Sequence, residues 1–515
     1  MTFVSHPRIV PDKVEERAYQ VRMAKECLKD DTLLILPTGL GKTIIAAFVI
    51  ADILEKKRKV LMLAPTKPLV EQHYETLCDL LVDTKIGTMN GNMLPEKRAT
   101  VIEENDVIVC TPQVVDNDLE CERYNLSPFG LIVFDEAHRA VGNYAYVNIA
   151  SHYYTGLALG MTASPGADLS KMQEVCDNLH IRRADMRTEE DADVSPYIHD
   201  VKVTRTEVNM PSDLTKVVQL LNDIMVPYLN DLRNMGLLDP NWPASTKHLL
   251  MIGQTLQKRL ARGEKTATVF RGLIAQSVCI KMMHAIGLAE TQGMSALRSY
   301  MYKLDEDATS GKSTKAARSI ASSPQYKEIW DILNTSKVEH PKISKVMSLV
   351  SQQVNDNKDN RVIVFSQYRD TCDLLVDKLS KVENARVAKL IGQSKGGLKQ
   401  KEQIQLLDDF RNGTFNVLVS TSVGEEGLDV ANTDLVIFYE PVPSEIRTIQ
   451  RRGRTGRKDS GEVHVLIAKG TRDEVFENTS SKKEELMKEH LDRLNYRLSK
   501  GPAVPSKKQT SIVDY

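Results

Sequence analysis

Short, continuously apolar runs recur along this chain with longer amphipathic stretches between them, and that alternation restricts the fold more than any other feature. TLLIL (32–36), KVLMLAP (59–65), DVIVCTP (106–112), LIVFDE (131–136) and LALGMTAS (157–164) read as strands. Lys42–Lys57 and Pro68–Leu81 carry helical periodicity between them. A strand that is apolar at every position has both faces buried, which places it in a parallel sheet covered by helices on each side. The same pattern returns in RVIVFSQ (361–367), RVAKLIG (386–392), NVLVSTS (416–422), LVIFYEP (435–441) and EVHVLIA (462–468), with a helical link over 398–411. Two α/β halves are therefore expected, over 1–205 and 338–498.

The middle of the chain reads differently. Residues 212–236, 244–262 and 266–304 show helical periodicity with few strand signals, punctuated by Pro211, Pro240 and Pro243. This predicts an all-helical insertion over 206–337, so that the 515 residues divide into three folded parts. The net charge is only −1, so any nucleic-acid surface has to be local. From Asn241 to Ile320 there are 12 Lys and Arg against 5 Asp and Glu, whereas EEDAD (189–193) is acidic. A basic run of this kind is either a solvated face or an arm lying on a phosphate backbone. The segment 499–515, which contains two prolines and little periodicity, is expected to be a flexible tail.

Cys27, Cys78, Cys110, Cys121, Cys176, Cys279 and Cys372 are odd in number, scattered and without C-x-x-C spacing. That pattern signals neither a zinc ribbon nor an iron–sulfur cluster and fits a reducing interior. MTFVSHPRIVPDK has no apolar core of a secretory signal, and no run approaches 18 apolar residues. A soluble protein of the cytoplasm is expected.

LPTGLGKT (36–43) lies between a strand and a helix, the setting of a phosphate-binding loop. Gly39 and Gly41 let backbone N–H groups turn toward an anion at the helix N-terminus, Lys42 can reach the β and γ phosphates, and Thr43 can ligate Mg²⁺. The general pattern has a glycine five positions before Gly41, where this chain has Leu36. Downstream, LIVFDEAHRAVGNYAY (131–146) ends an apolar strand in two acids. Asp135 falls where a Mg²⁺-binding carboxylate belongs, and Glu136 can polarise an attacking water. In QRRGRTGR (450–457) Arg451, Arg454 and Arg457 recur every third residue and can stabilise charge on a transferring phosphoryl group. They lie in the second half and the loop in the first, so an ATP site would be complete only when the halves close.

In this order the motifs resemble a superfamily 2 helicase of the DEAH-box kind. They are LPTGLGKT, APTKPLVEQH (64–73), VCTPQVV (109–115), DEAH (135–138), TAS (162–164), VIVFSQYRD (362–370), VLVSTSVGEEGLDV (417–430) and QRRGRTGR. Within that superfamily DEAHRAVGNYAY, TASPG (162–166), DVSPYIHD (193–200) and the helical insert resemble the archaeal Hef helicase and its eukaryotic relative, the Fanconi anaemia group M translocase. The fold this implies is α/β, with two RecA-like parallel-sheet domains and an all-helical insertion between them. The implied activity is that of an ATP- and Mg²⁺-dependent DNA helicase or translocase acting on branched DNA at stalled forks and junctions, in a prokaryotic cell interior and associated with the nucleoid. An RNA-directed helicase, or an ATP-gated duplex-RNA sensor of the same branch, shares the motor residues and is the alternative. The E-R-K-x-x-x-D pattern of the nuclease domain often joined to Hef is not found, and no nuclease activity is expected.

The resemblance also assigns roles. Gln20, 22 residues before Lys42, would read adenine. Thr38, Gly39, Gly41, Lys42 and Thr43 would hold the phosphates, and Thr43 and Asp135 the metal. Glu136 would act on the hydrolytic water. His138 and Gln450 would couple the site to Thr162 and Ser164. Gly427, Asp429, Arg454 and Arg457 would approach the nucleotide from the second half. Pro65, Thr66, Lys67, Thr111, Gln367, Arg369 and Thr421 would contact nucleic-acid backbone, positioning it without reading sequence. Lys258, Arg259 and Arg262 of the basic insert would grip duplex or a branch point. Tyr144 and Tyr146 are expected to pack the loop after Asp135, with base stacking as the alternative. QTSIVDY (509–515) resembles a shortened sliding-clamp-binding motif through Gln509, Ile512 and Tyr515.

Overall fold

The computed structural model describes residues 2–188, 191–197, 201–241, 244–310, 314–392, 397–421, 433–442 and 461–499. The first sheet is built from β1 (Thr32–Ile35), β2 (Lys59–Leu63), β3 (Ile86–Met89), β4 (Val107–Cys110), β5 (Phe129–Asp135), β6 (Leu157–Thr162) and β7 (Arg183–Met186). Its order is β3-β4-β2-β5-β6-β1-β7, and every pairing is parallel. The central strands β1, β4 and β5 are buried along their whole length, as continuous apolar runs require. The sheet separates two apolar layers. One contains Ile45, Val49 and Leu77; the other contains Phe134, Tyr146, Met172 and Leu179.

The second sheet contains β8 (Val201–Val208), β9 (Val362–Phe365), β10 (Val387–Leu390), β11 (Val417–Ser420), β12 (Leu435–Phe438) and β13 (Gly461–Ala468), in the order β10-β11-β9-β12-β13-β8. It too is parallel throughout. The boundary expected at residue 205 lies inside β8, which runs alongside β13 for its full length and belongs to the second sheet. The physical reason is the strand's composition. VKVTRTEV is mostly polar, which suits an edge strand, and even its Val203 is 47% exposed. The chain thus crosses to the second half before it enters the helical insertion.

The second half is also not a closed unit ending at 498. Its last described helix, Arg472–Ser499, leaves β13 and returns to the first half, where Met487, Leu491 and Leu494 join the apolar layer of Met172, Val175 and Leu179. The start of that helix is fixed in the second half by an ion pair between Lys342 and Asp473, both completely buried, with the Lys342 ammonium 5.3 Å from the Tyr439 ring centroid.

The helical insertion comprises Ser212–Asn234, Thr246–Ala261, Ala267–Thr291, Met294–Thr309, Lys315–Ala321 and Pro324–Thr335. Ser245, Thr266 and Thr314 cap three of these helices by accepting a backbone N–H three residues on. The periodicity over 266–304 is interrupted at Gly293, whose φ of 95° ends one helix before the next begins. A Cβ there would stand 2.8 Å from His340 Cβ. Ala267–Thr291 is long and apolar enough to cross a membrane, but Val278, Cys279, Met282 and Ala285 are buried within the bundle. Gln292 anchors the bundle to the second sheet: its Nε2 donates to Glu440 Oε2 (3.3 Å) and its Oε1 accepts from Thr371 Oγ1 (2.7 Å).

Candidate nucleotide site and nucleic-acid edge

Beyond β1 the chain turns through 36–41 into the helix Lys42–Glu55. Gly39 and Gly41 have φ of 89° and 85°, a region that favours glycine. A Cβ on Gly41 would collide with Gln20 Nε2. Gln20 Nε2 donates to Leu40 O (3.0 Å), as does Tyr19 Oη (2.8 Å), so the residue expected to read adenine braces the loop. No side chain caps the Lys42–Glu55 helix, which leaves its first N–H groups to face an anion. Lys42 Nζ donates to Leu36 O (2.9 Å).

Asp135 ends β5 in a buried position. Burial opposes its ionisation, but the His73 ring, a hydrogen bond from that ring, the Lys42 charge and the Glu136 N–H outweigh it and hold the carboxyl below its usual range. The Tyr146 hydroxyl donates to Asp135 O (2.6 Å), fixing the backbone on which the carboxylate stands. Tyr146 is fully buried, edge-on to Phe134 and Tyr144, so its role is packing. Glu136 has a φ of 50°, a left-handed conformation that a glutamate adopts at a cost. Its Oε2 lies 3.3 Å from His138 Nδ1 but has no hydrogen-bond partner among the described residues, which leaves it able to accept from a water. A short turn, Ala137–Arg139, then brings His138 Nδ1 to 3.1 Å from Thr162 Oγ1. Thr162 Oγ1 donates to Ser164 O (2.9 Å), so the histidine must donate to the threonine. The predicted coupling set of His138, Thr162 and Ser164 is therefore contiguous. Ser164 Oγ in turn donates to Met487 Sδ (2.9 Å) on the returning helix. Thr38, Lys42 and Thr43 are half-buried at this edge, and with the glycine cradle and the ionised Asp135 they form a donor set that fits a nucleotide with its Mg²⁺. Gly427, Asp429, Gln450, Arg454 and Arg457 lie outside the described residues, as do Gln509, Ile512 and Tyr515.

The predicted backbone contacts fall at the same end of the strands. Pro65, Thr66 and Lys67 follow β2, and Thr111 follows β4, its neighbour in the sheet. Thr66 caps the helix Lys67–Leu80, and Lys67 and Thr111 line one open cleft of about 450 Å³ with Gly91, Gln113, Asn117 and Arg123. Gln367 is exposed beyond β9. Thr421, beyond the adjacent β11, is only 7% exposed, and Arg369 Nη2 is engaged by Gly392 O (2.7 Å). These two therefore shape the edge more than they project from it. In the insert Lys258 and Arg262 are exposed on and just after the helix Thr246–Ala261, whose earlier turns also expose Leu250 and Met251. Arg259 is held by a two-point ion pair with Glu264 and is a weaker candidate for a phosphate contact.

His73 was not among the residues expected to act. Its Nε2 stands 2.8 Å from Asp135 Oδ2. The available signal was a histidine on the apolar stripe Val70, His73, Leu77 and Leu80 of the helix after APTK, a position where an aliphatic residue would suffice for packing.

Three family profiles match successive parts of the chain. They are the res subunit of type III restriction enzymes over 13–167, the helical bundle of a provisional ATP-dependent RNA helicase group over 213–340, and the helicase conserved C-terminal domain over 341–459. The crystal structure of the Pyrococcus furiosus Hef helicase domain is 42% identical with a TM-score of 0.70, covering 92% of this chain and 100% of that one. The chain belongs to the superfamily 2 helicases, in the family of the Hef helicase domain. Other members of this group include a Methanocaldococcus jannaschii protein provisionally named an ATP-dependent RNA helicase, 41% identical over 97% of this chain and 63% of its own length. The Drosophila melanogaster DEAD-box ATP-dependent DNA helicase Fancm is 32% identical over 96% of this chain and 36% of its own length. The chain spans less than two thirds of these curated relatives. The Hef-type architecture, two parallel-sheet domains with a helical region between them, is the one described above.

Proposed function

We propose that the chain is an ATP- and Mg²⁺-driven motor on DNA, with forks and junctions as its substrate. The observation that carries this reading is the common edge. In the first sheet the phosphate loop, Glu136, Thr66, Lys67 and Thr111 all follow the C-terminal ends of parallel strands, with Asp135 as the last residue of β5, and Gln367 follows the corresponding end of β9 in the second sheet. The loop glycines and Lys42 would bind the phosphates, and Thr43 and Asp135 would hold the metal, which when bound neutralises charge on the β and γ phosphates. Glu136 would polarise the water that attacks the γ-phosphorus, releasing ADP and phosphate. The cluster of His138, Thr162 and Ser164 would relay that change to the returning helix. Lys258 and Arg262, with the apolar Leu250 and Met251 exposed on earlier turns of the helix Thr246–Ala261, give the insert a face suited to duplex at a branch. Relatives named DNA helicases support DNA as the partner.

A second reading, an RNA-directed motor, is favoured by the name of the Methanocaldococcus jannaschii relative. Steady-state ATPase with single-stranded DNA, duplex DNA, forks, four-way junctions and duplex RNA separates the two, with Lys42→Ala as the blank. The proposal expects forks or junctions to stimulate most and the blank to be silent. Strongest stimulation by duplex RNA would overturn the DNA reading in favour of the second.

A further inference from the structure

The buried contact between His73 and Asp135 ties two sites that the sequence motifs treat separately. His73 is 4% exposed, and its Nε2 is 2.8 Å from Asp135 Oδ2. A carboxylate that holds a metal only accepts, so across this distance the ring donates from Nε2. Its other nitrogen, Nδ1, has no hydrogen-bond partner among the described residues. Leaving a buried polar atom unpaired works against stability, and an aliphatic side chain would fill the stripe of Val70, Leu77 and Leu80 without that cost. The polar function of this imidazole is therefore spent on one oxygen of the carboxylate expected to hold the metal. The helix that carries His73 begins at Lys67, immediately after its cap Thr66. His73 lies six positions after Lys67, roughly 9 Å along the axis, in a single rigid element.

We propose that His73 is a positioning residue of the metal site, and that through it the helix bearing Thr66 and Lys67 acts on Asp135. Nucleic acid engaging the start of this helix would then alter how Asp135 meets the metal. The coupling half of this inference rests on the nucleic-acid reading given above; the positioning half does not. Partners that orient a metal ligand commonly matter by about 10–100-fold in metal affinity.

The test uses the full chain and needs no turnover. ADP affinity is measured by calorimetry with Mg²⁺ and with EDTA for the parent, His73→Leu and His73→Gln. Leucine fills the space without a donor, and glutamine returns an N–H at similar reach. The expected result is that all three bind ADP alike in EDTA, that leucine loses at least about tenfold of the Mg²⁺-dependent gain, and that glutamine restores it. A leucine variant that keeps the full gain, or a glutamine variant as impaired as leucine, would overturn the proposal. Repeating the measurement with a bound single-stranded oligonucleotide tests the coupling. The parent's Mg²⁺-dependent gain should shift, and the leucine variant's should not. An oligonucleotide that binds the parent, seen by fluorescence anisotropy, yet leaves its gain unchanged would overturn the coupling. Absence of any oligonucleotide binding would instead overturn the motor reading, and the ADP measurement would still decide the role of His73.

Discussion

His340 shows how much one buried side chain is made to do. It caps the helix Pro341–Asp356, with Nδ1 accepting from Lys342 N (3.3 Å), while Nε2 donates to Glu290 O of the insert (3.0 Å). The first contact requires the neutral ring, because a protonated Nδ1 cannot accept, whereas the second survives protonation. Burial, and then the Lys342 ammonium, push its pKa down to about 3, although the Glu290 carbonyl favours the charged form. An unfolded histidine takes a proton near pH 6.5. Between that pH and about 3 the unfolded chain binds a proton that the folded chain refuses, so stability falls as pH falls through this window. Going from pH 7 to pH 5 should cost about 2 kcal/mol at this site. His340→Asn keeps a capping acceptor but does not titrate. Urea midpoints at the two pH values should therefore differ less in that variant than in the parent.

Among the elements, the returning helix Arg472–Ser499 carries the clearest consequence. Leu491 is fully buried against the first half although its helix starts in the second. Leu491→Ala removes a large apolar side chain from that docking and should weaken it by about 2–5 kcal/mol. Amide hydrogen exchange would show this as faster exchange over 487–498 and Met172–Leu179, with Ala267–Thr291 unchanged. Most of the strands that were legible in the sequence are buried on both faces, although β10, an edge strand buried at alternate positions, was legible too. Those that were not are edge strands. β3 is mostly half-buried, and β7 reads Arg-Ala-Asp-Met, so neither presents a continuous apolar run. β8, across which the boundary at 205 was drawn, is mostly polar, so no apolar run marked it as a strand or named the sheet it joins. The docking of the last helix was equally silent. A periodic stripe announces burial without naming the partner. The candidate site was legible where glycine and adjacent carboxylates mark it, as at Gly41, Asp135 and Glu136. It was not legible at His73, because there the chemistry is made by two side chains 62 residues apart.

For the whole molecule the placement of charge decides what is held. The chain as a whole is nearly neutral, and the basic excess is concentrated in the insertion, where Lys258 and Arg262 are exposed and Arg259 is already neutralised by Glu264. Each phosphate contact contributes about 0.9 to the slope of log affinity against log salt on duplex DNA. The double variant Lys258→Glu/Arg262→Glu should lower that slope by about 2 on forked DNA, and Arg259→Ala should change it little. Fluorescence anisotropy titrations between low and moderate salt would measure both, and an unchanged slope in the double variant would remove the insert from the contact surface.

Among the described residues the two halves are joined by the crossing from β7 to β8 and again by the helix that leaves β13 and docks beside Met172. Two bodies attached at a single point can swivel freely, but a second attachment removes most of those freedoms and leaves little more than rotation about the line through both. On the proposed motor reading, closure would then be a search along one angle, not a search through all orientations, with its entropic cost largely met when the chain folds. Because the second attachment lands on Ser164, inside the cluster proposed to couple to the nucleotide, the pivot and the trigger would occupy the same place.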